Sequence, residues 1–204
     1  MHAFNKAMES SAVFYVPISM EFLIFETCFI SESKITCKSG SCIWSECGVV
    51  DAALDKSKDI FSLGVVARDR TGKLLWAGAK CFNGFIDAET AETLAILDGV
   101  HLAISENLNP VIVESDTVNA INLCLGNSLS RCEVDNIAQV IHDFNRESTN
   151  NISLCFSPRS CNLVAHGVAR WPLGSGSSIF WITSFPYWLC KLIRDDGCVN
   201  LSVV

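Results

Sequence analysis

The run Val111-Ile112-Val113 ends in Glu114-Ser115-Asp116, so three apolar β-branched residues lead into two acids. Preceded by Pro110 and followed by a helical pattern, such a run reads as a buried parallel strand. Ligands of open α/β sheets gather beyond the carboxyl ends of such strands, and Asp116 stands there. A charged side chain has no place in an apolar core, so Asp116 is expected to face a cleft. The plainer reading is that Ser115 or Asp116 caps a helix starting at Thr117. Two other acids are conspicuous. Asp51 interrupts the strand-like stretch 49–55. Glu92 falls beside Ala91 and Leu94, at the edge of an apolar helix face, where it is either an exposed boundary residue or a group kept for a purpose. Carboxylates brought together repel one another and call for cations between them.

The elements that must position these acids follow from periodicity. Residues 49–55, 60–68 and 73–81 read as strands. The first two are joined by the polar stretch 56–59 and the last two by Asp69-Arg70-Thr71-Gly72, a strong turn signal. Short connections make these three an antiparallel meander. Gly64 inside the second strand suggests a bulge or a close backbone approach. The period then changes. Asp87 is a plausible N-cap for a helix from Ala88 to about residue 104, with Ala91, Leu94, Ala95 and Ile104 among the candidates for its apolar face. After the strand at 111–116 come a short helix at 117–125 and a longer one at 134–144. Then follow a fifth strand at 152–157, a tight turn at Ser157-Pro158-Arg159-Ser160 and a last helix at 162–171. The order is β-β-β-α-β-α-α-β-α.

The chain has 204 residues, half of them hydrophobic, with 18% charged and a net charge of −7. The acidity argues against a broad electrostatic grip on nucleic acid, yet it suits a cluster of carboxylates that needs cations. Between Asp51 and Trp171 ten Lys and Arg face fifteen Asp and Glu, and no basic handle stands out. The 11 cysteines are scattered. Cys37, Cys42 and Cys47 lack the two-residue spacing of a zinc knuckle, so free thiols in a reducing compartment are expected. An intracellular setting, nucleus or cytoplasm, is the corresponding expectation. Residues 1–47 carry no recognisable chemistry, and their uncharged run is too short to span a membrane. Residues 173–204 take in all but the first residue of the Gly/Ser-rich break 172–178 and continue into an aromatic tail expected to dock on the domain. His101 and His142 lie on helical faces as ordinary boundary residues.

From 48 to 172 the chain resembles the ribonuclease H type-1 domain, in the version found in plant proteins related to non-LTR retroelement reverse transcriptases. The resemblance is carried by Val50-Asp51-Ala52-Ala53, by Gly64-Val65-Val66-Ala67-Arg68-Asp69 with Gly72-Lys73, and by Ala91-Glu92-Thr93-Leu94-Ala95. Val113-Glu114-Ser115-Asp116 and Pro158-Arg159-Ser160-Cys161-Asn162-Leu163-Val164-Ala165-His166 complete it. Phe180-Trp181 and Phe185-Pro186-Tyr187-Trp188-Leu189 resemble the segment after that domain.

The resemblance implies an α/β fold with a five-stranded mixed sheet, three antiparallel strands then two parallel, and helices on both faces. It implies hydrolysis of the RNA strand of an RNA–DNA hybrid, by a monomer, with Asp51, Glu92, Asp116 and His166 as catalytic residues. Asp51, Glu92 and Asp116 would hold two Mg²⁺ ions, or Mn²⁺, about 3.5–4 Å apart. Ser115, Arg159 and Asn162 would touch the nucleic acid, Arg159 through phosphate and Asn162 at a helix start where N–H groups favour anions. Asn162 as a simple N-cap is the competing reading. The family's fourth carboxylate aligns with His166, and imidazole is a poor Mg²⁺ ligand. A catalytically weak or inactive nucleic-acid-binding module of retroelement origin is therefore the alternative, and a redox or metal protein built on the cysteines a distant third.

Overall fold

A computed structural model describes residues 46–69, 72–106, 108, 110–127, 132–147 and 151–196. Residues 1–45, with the readings made for them and for Cys37 and Cys42, lie outside the described residues. A single mixed sheet runs β5-β4-β1-β2-β3-β6. Its strands are β1 (Glu46–Asp55), β2 (Ile60–Arg68), β3 (Leu74–Asn83), β4 (Val111–Ser115), β5 (Ile152–Phe156) and β6 (Ile179–Trp181). The helices are α1 (Ala88–Ser105), α2 (Val118–Cys124), α3 (Cys132–Glu147), α4 (Leu163–Ser175) and α5 (Tyr187–Asp195). The first three strands are antiparallel neighbours, and β4 and β5 join them in parallel through β1. The expected mixed sheet is thus present, with one strand more: β6 comes from the aromatic tail and pairs antiparallel with β3.

Alternation along the strands sorts their side chains onto two cores. Val50, Ala52, Leu63 and Val65 face α1, α2 and α3 in one core with Ala95, Ile96, Ile121 and Ile141. Val49, Val66, Ala77 and Ala79 face the other, closed by Val164, Ala165 and Val168 of α4 and Leu189 and Ile193 of α5. Helices therefore cover both faces, and two glycines set how closely they lie. A Cβ on Gly64 would stand 2.5 Å from the backbone nitrogen of Ala169, and Ser62 Oγ donates to the Ala169 carbonyl, so α4 rests on β2 backbone to backbone. Of the two readings of Gly64, the close backbone approach holds, and the β2–β3 register shifts at Ala67/Arg68. A Cβ on Gly99 would come within 2.6 Å of Val50, which brings α1 down onto β1.

The tail is structural. The last helix does not stop at Trp171 but continues through Pro172 to Ser175, where Gly176 takes a left-handed φ of 69° and donates to the Pro172 carbonyl. The stretch expected to be a flexible break is therefore half helix. Trp188 stacks on Trp171 at 4.8 Å between centroids, with Trp181 edge-on to both, and Phe180 tilts over Trp76. Arg68 at the end of β2 pairs with Asp196 just past α5 at 2.9 Å, both nearly out of solvent. Among the described residues no helix is long and apolar enough to cross a membrane, and Cys47, Cys81, Cys124, Cys155, Cys161 and Cys190 are free thiols.

Candidate active site

Strand register brings two of the acids together. β1 and β4 pair with Val50 opposite Ser115, so Asp51 and Asp116 are the next residues along two adjacent parallel strands. Asp51 is fully buried inside β1, whereas Asp116 sits at the bend where β4 ends. Glu92 arrives from α1, whose first turn is fixed by Asp87: its carboxylate accepts the Thr90 backbone N–H and the Thr90 hydroxyl, both at 2.9 Å. One carboxylate oxygen from each of Asp51, Glu92 and Asp116 lies within 4.8 Å of the others. The helix-cap reading of Asp116 gives way. Ser115 Oγ accepts the Thr117 N–H at 3.2 Å, and Thr117 caps α2 without a side-chain bond, which leaves the Asp116 carboxylate for the cluster.

The turn and helix after β5 supply the rest. His166 Nδ1 is 2.7 Å from Asp51 Oδ2. Arg159, in a single 3₁₀ turn (Arg159–Cys161), sends Nη1 to Asp116 Oδ2 at 2.7 Å and Asp51 Oδ1 at 3.4 Å. Its Nη2 lies 2.8 Å and 3.2 Å from the two His166 ring nitrogens. His166 Nδ1 thus lies against both Asp51 and Arg159, and the position of the ring proton sets which of these contacts is a hydrogen bond from the imidazole. Arg159 was expected to reach outward for phosphate; its guanidinium is turned into the carboxylates, although the side chain is 54% exposed.

Two further expectations need correction. Asn162 is fully buried, and its Nδ2 donates to the Val50 carbonyl at 3.1 Å, so its side chain locks the start of α4 to β1 next to Asp51. It stands at the helix start but makes no side-chain cap. Ser115 is also fully buried and spends its hydroxyl on the Thr117 turn. Neither side chain is open to nucleic acid; both hold backbone that carries a site acid.

Electrostatics follow from this burial. Removal from water pushes the Glu92 carboxyl up to about 8, and the charges of Asp51 and Asp116 push the same way. Burial also raises Asp51, against the hydrogen bond from His166 that favours its charged form. Glu92 Oε2 is buried without a hydrogen-bond partner, a lone pair that a cation would satisfy. A raised carboxylate pKa has a signed consequence. Between the ordinary value of 4.5 and about 8 the unfolded chain has lost a proton that the folded chain keeps. Stability in chelator is therefore expected to fall as pH rises through that window, by at most about 1.4 kcal/mol per unit. Urea melts at several pH values should show the slope, and Glu92→Gln should flatten it.

Sequence reasoning found no basic region, yet one assembles in space. Next to His166 a cleft of about 520 Å³ is lined by Lys56, Lys58, Arg170 and Leu173 together with Asp55, which pairs with Lys58 at 3.3 Å. Lys58 is anchored to the Leu173 carbonyl at 2.8 Å, and Lys56 lies over the Phe85 ring. The available signal was the four-residue spacing of His166 and Arg170, which puts both on one face of α4.

A mixed sheet with this strand order, covered by helices on both faces and carrying acids inside β1 and just past the end of β4, is the ribonuclease H type of fold. RNase H1 of the archaeon Halobacterium salinarum superposes with a TM-score of 0.58 at 15% identity, over 64% of this chain and 98% of its own. LC11-RNase H1, solved in complex with an RNA/DNA hybrid, gives 0.57 at 17% identity over 64% and 98%. The N-terminal RNase H domain of a Mycobacterium tuberculosis protein gives 0.52 at 16% over 64% and 96%. No curated protein matches the chain. Residues 49–172 match the reverse transcriptase-like family, and the chain belongs to that family.

Proposed function

We propose that this domain hydrolyses the RNA strand of RNA–DNA hybrids endonucleolytically, with a divalent cation held by Asp51, Glu92 and Asp116. The observation that carries the reading is the convergence of these three carboxylates, from two strands and a helix, at one end of a ribonuclease H-type sheet. Oxygen ligands of this kind suit Mg²⁺ or Mn²⁺. When bound, the cation supplies the positive charge that favours attack of water on a phosphodiester. The protein's own part is positional. Asn162 and the Gly64 contact fix β1 against α4, and His166 holds Asp51 through a 2.7 Å bond. The cleft beside His166 offers Lys56, Lys58 and Arg170 to the phosphates of a bound strand.

A labelled hybrid incubated with Mg²⁺ and then Mn²⁺ tests the reaction, and fragments from the RNA strand only are the expected result. The His166 and Arg159 contacts to both Asp51 oxygens compete with a bound cation for that carboxylate, which favours slow turnover in Mg²⁺. They also support the second reading, a binding module without turnover. Binding has its own expected result: Lys56→Glu with Arg170→Glu weakens hybrid binding and lowers the salt slope by roughly two units. Anisotropy titrations at several salt concentrations measure it, and an unchanged slope removes this cleft from the interface.

A further inference from the structure

The guanidinium of Arg159 sits where a cation would be expected. Nη1 touches one oxygen of Asp116 and one of Asp51, and Nη2 meets His166, whose ring takes the other Asp51 oxygen. On this side both Asp51 oxygens already face a protein group, Arg159 Nη1 at 3.4 Å and His166 Nδ1 at 2.7 Å, so a second ion would have to compete for them. The remaining donors, Glu92 with its unpartnered Oε2 and the open sides of Asp51 and Asp116, form a ligand set for one. A second divalent ion would also stand within a few ångströms of a fixed positive charge, and such repulsion is strong in a half-buried site.

We propose that Arg159 is a tethered counter-cation: with His166 it holds the Asp51 side of the cluster, so the site takes one divalent ion rather than two. The proposal rests on the metal-dependent reading above and concerns the protein's own charges. Arg159 thereby becomes a positioning residue for Asp51 and Asp116, and His166 its acceptor rather than a metal ligand. Arg rather than Lys is suited to this, because only a planar fork reaches Asp116, Asp51 and His166 at once.

Mn²⁺ alone is the probe, titrated into metal-free full-length protein and followed by the electron paramagnetic resonance signal of the free ion. Ions bound by Asp116→Asn are counted as background. Wild type should bind one ion. Arg159→Ala should bind Mn²⁺ roughly tenfold more tightly or better, since the competing charge is gone. Arg159→Ala combined with His166→Asp should take a second ion. Two ions in wild type, unchanged or weaker affinity in Arg159→Ala, or a single ion in the double variant would each overturn the proposal. Hybrid cleavage is read separately. If the ion counts come out as expected while no variant cleaves a hybrid, the counter-cation stands and the nuclease reading falls.

Discussion

Asp116→Asn is expected to abolish the proposed cleavage of a labelled RNA–DNA hybrid, with Mg²⁺ and Mn²⁺ alike. The substitution keeps the shape of a side chain that is only 4% exposed, so the fold should survive. It removes one of three carboxylates whose oxygens lie within 4.8 Å of one another. A carboxamide has no charge to offer a hard cation. Losing a mere supporting partner of a metal ligand costs about 10–100-fold, so the loss here should be roughly a thousandfold or more. Circular dichroism in chelator checks that the variant is folded. Should wild type and variant be equally inactive in both metals while folded, the enzyme reading fails and the binding module takes its place.

Arg68→Ala is expected to lower stability by about 3 kcal/mol or more, the usual result of breaking a buried ion pair from one side. Arg68 and Asp196 are both nearly sealed from solvent. Glu114, pushed up by burial, is held in check by the Ser157 hydroxyl and by the charge of Arg68. Removing the guanidinium therefore takes a positive charge away from two buried acids. For a chain of this size the melting temperature should drop by roughly 6–12 °C. Arg68→Met with Asp196→Leu should cost less than Arg68→Ala alone, since an apolar pair does not leave a charge behind. Thermal melts of the three chains decide it. A single substitution as stable as wild type would mean that the pair does not fasten α5.

Much of the sheet could be read from pattern. β2 spans Ile60–Arg68 in sequence and structure alike because its apolar residues are bracketed by turn-forming ones. Asp51 and Asp116 stood out because a charge inside or beside a buried strand needs a reason. Polar residues were harder. Asn162 and Ser115 looked like ligand contacts, but each satisfies backbone in the interior, and side-chain type alone does not distinguish these fates. The cation cleft joins the β1–β2 connection to the far half of α4, a proximity created by the seat of Ala169 on Gly64. β6 has three residues and no period to detect. The inward turn of Arg159 depends on where the 3₁₀ turn aims its side chain, which composition does not reveal.

β6 also acts as a guard. Its pairing of Ile179, Phe180 and Trp181 with Ala79, Gly78 and Ala77 covers backbone groups of β3 that would otherwise form an open edge. Open edges of apolar strands recruit strands from other molecules. A chain cut at residue 172, where the family match ends, would keep every acid of the site yet bare both this edge and the apolar side chains beneath α5. Such a fragment should self-associate. Solubility, rather than chemistry, would then decide how short the working unit can be.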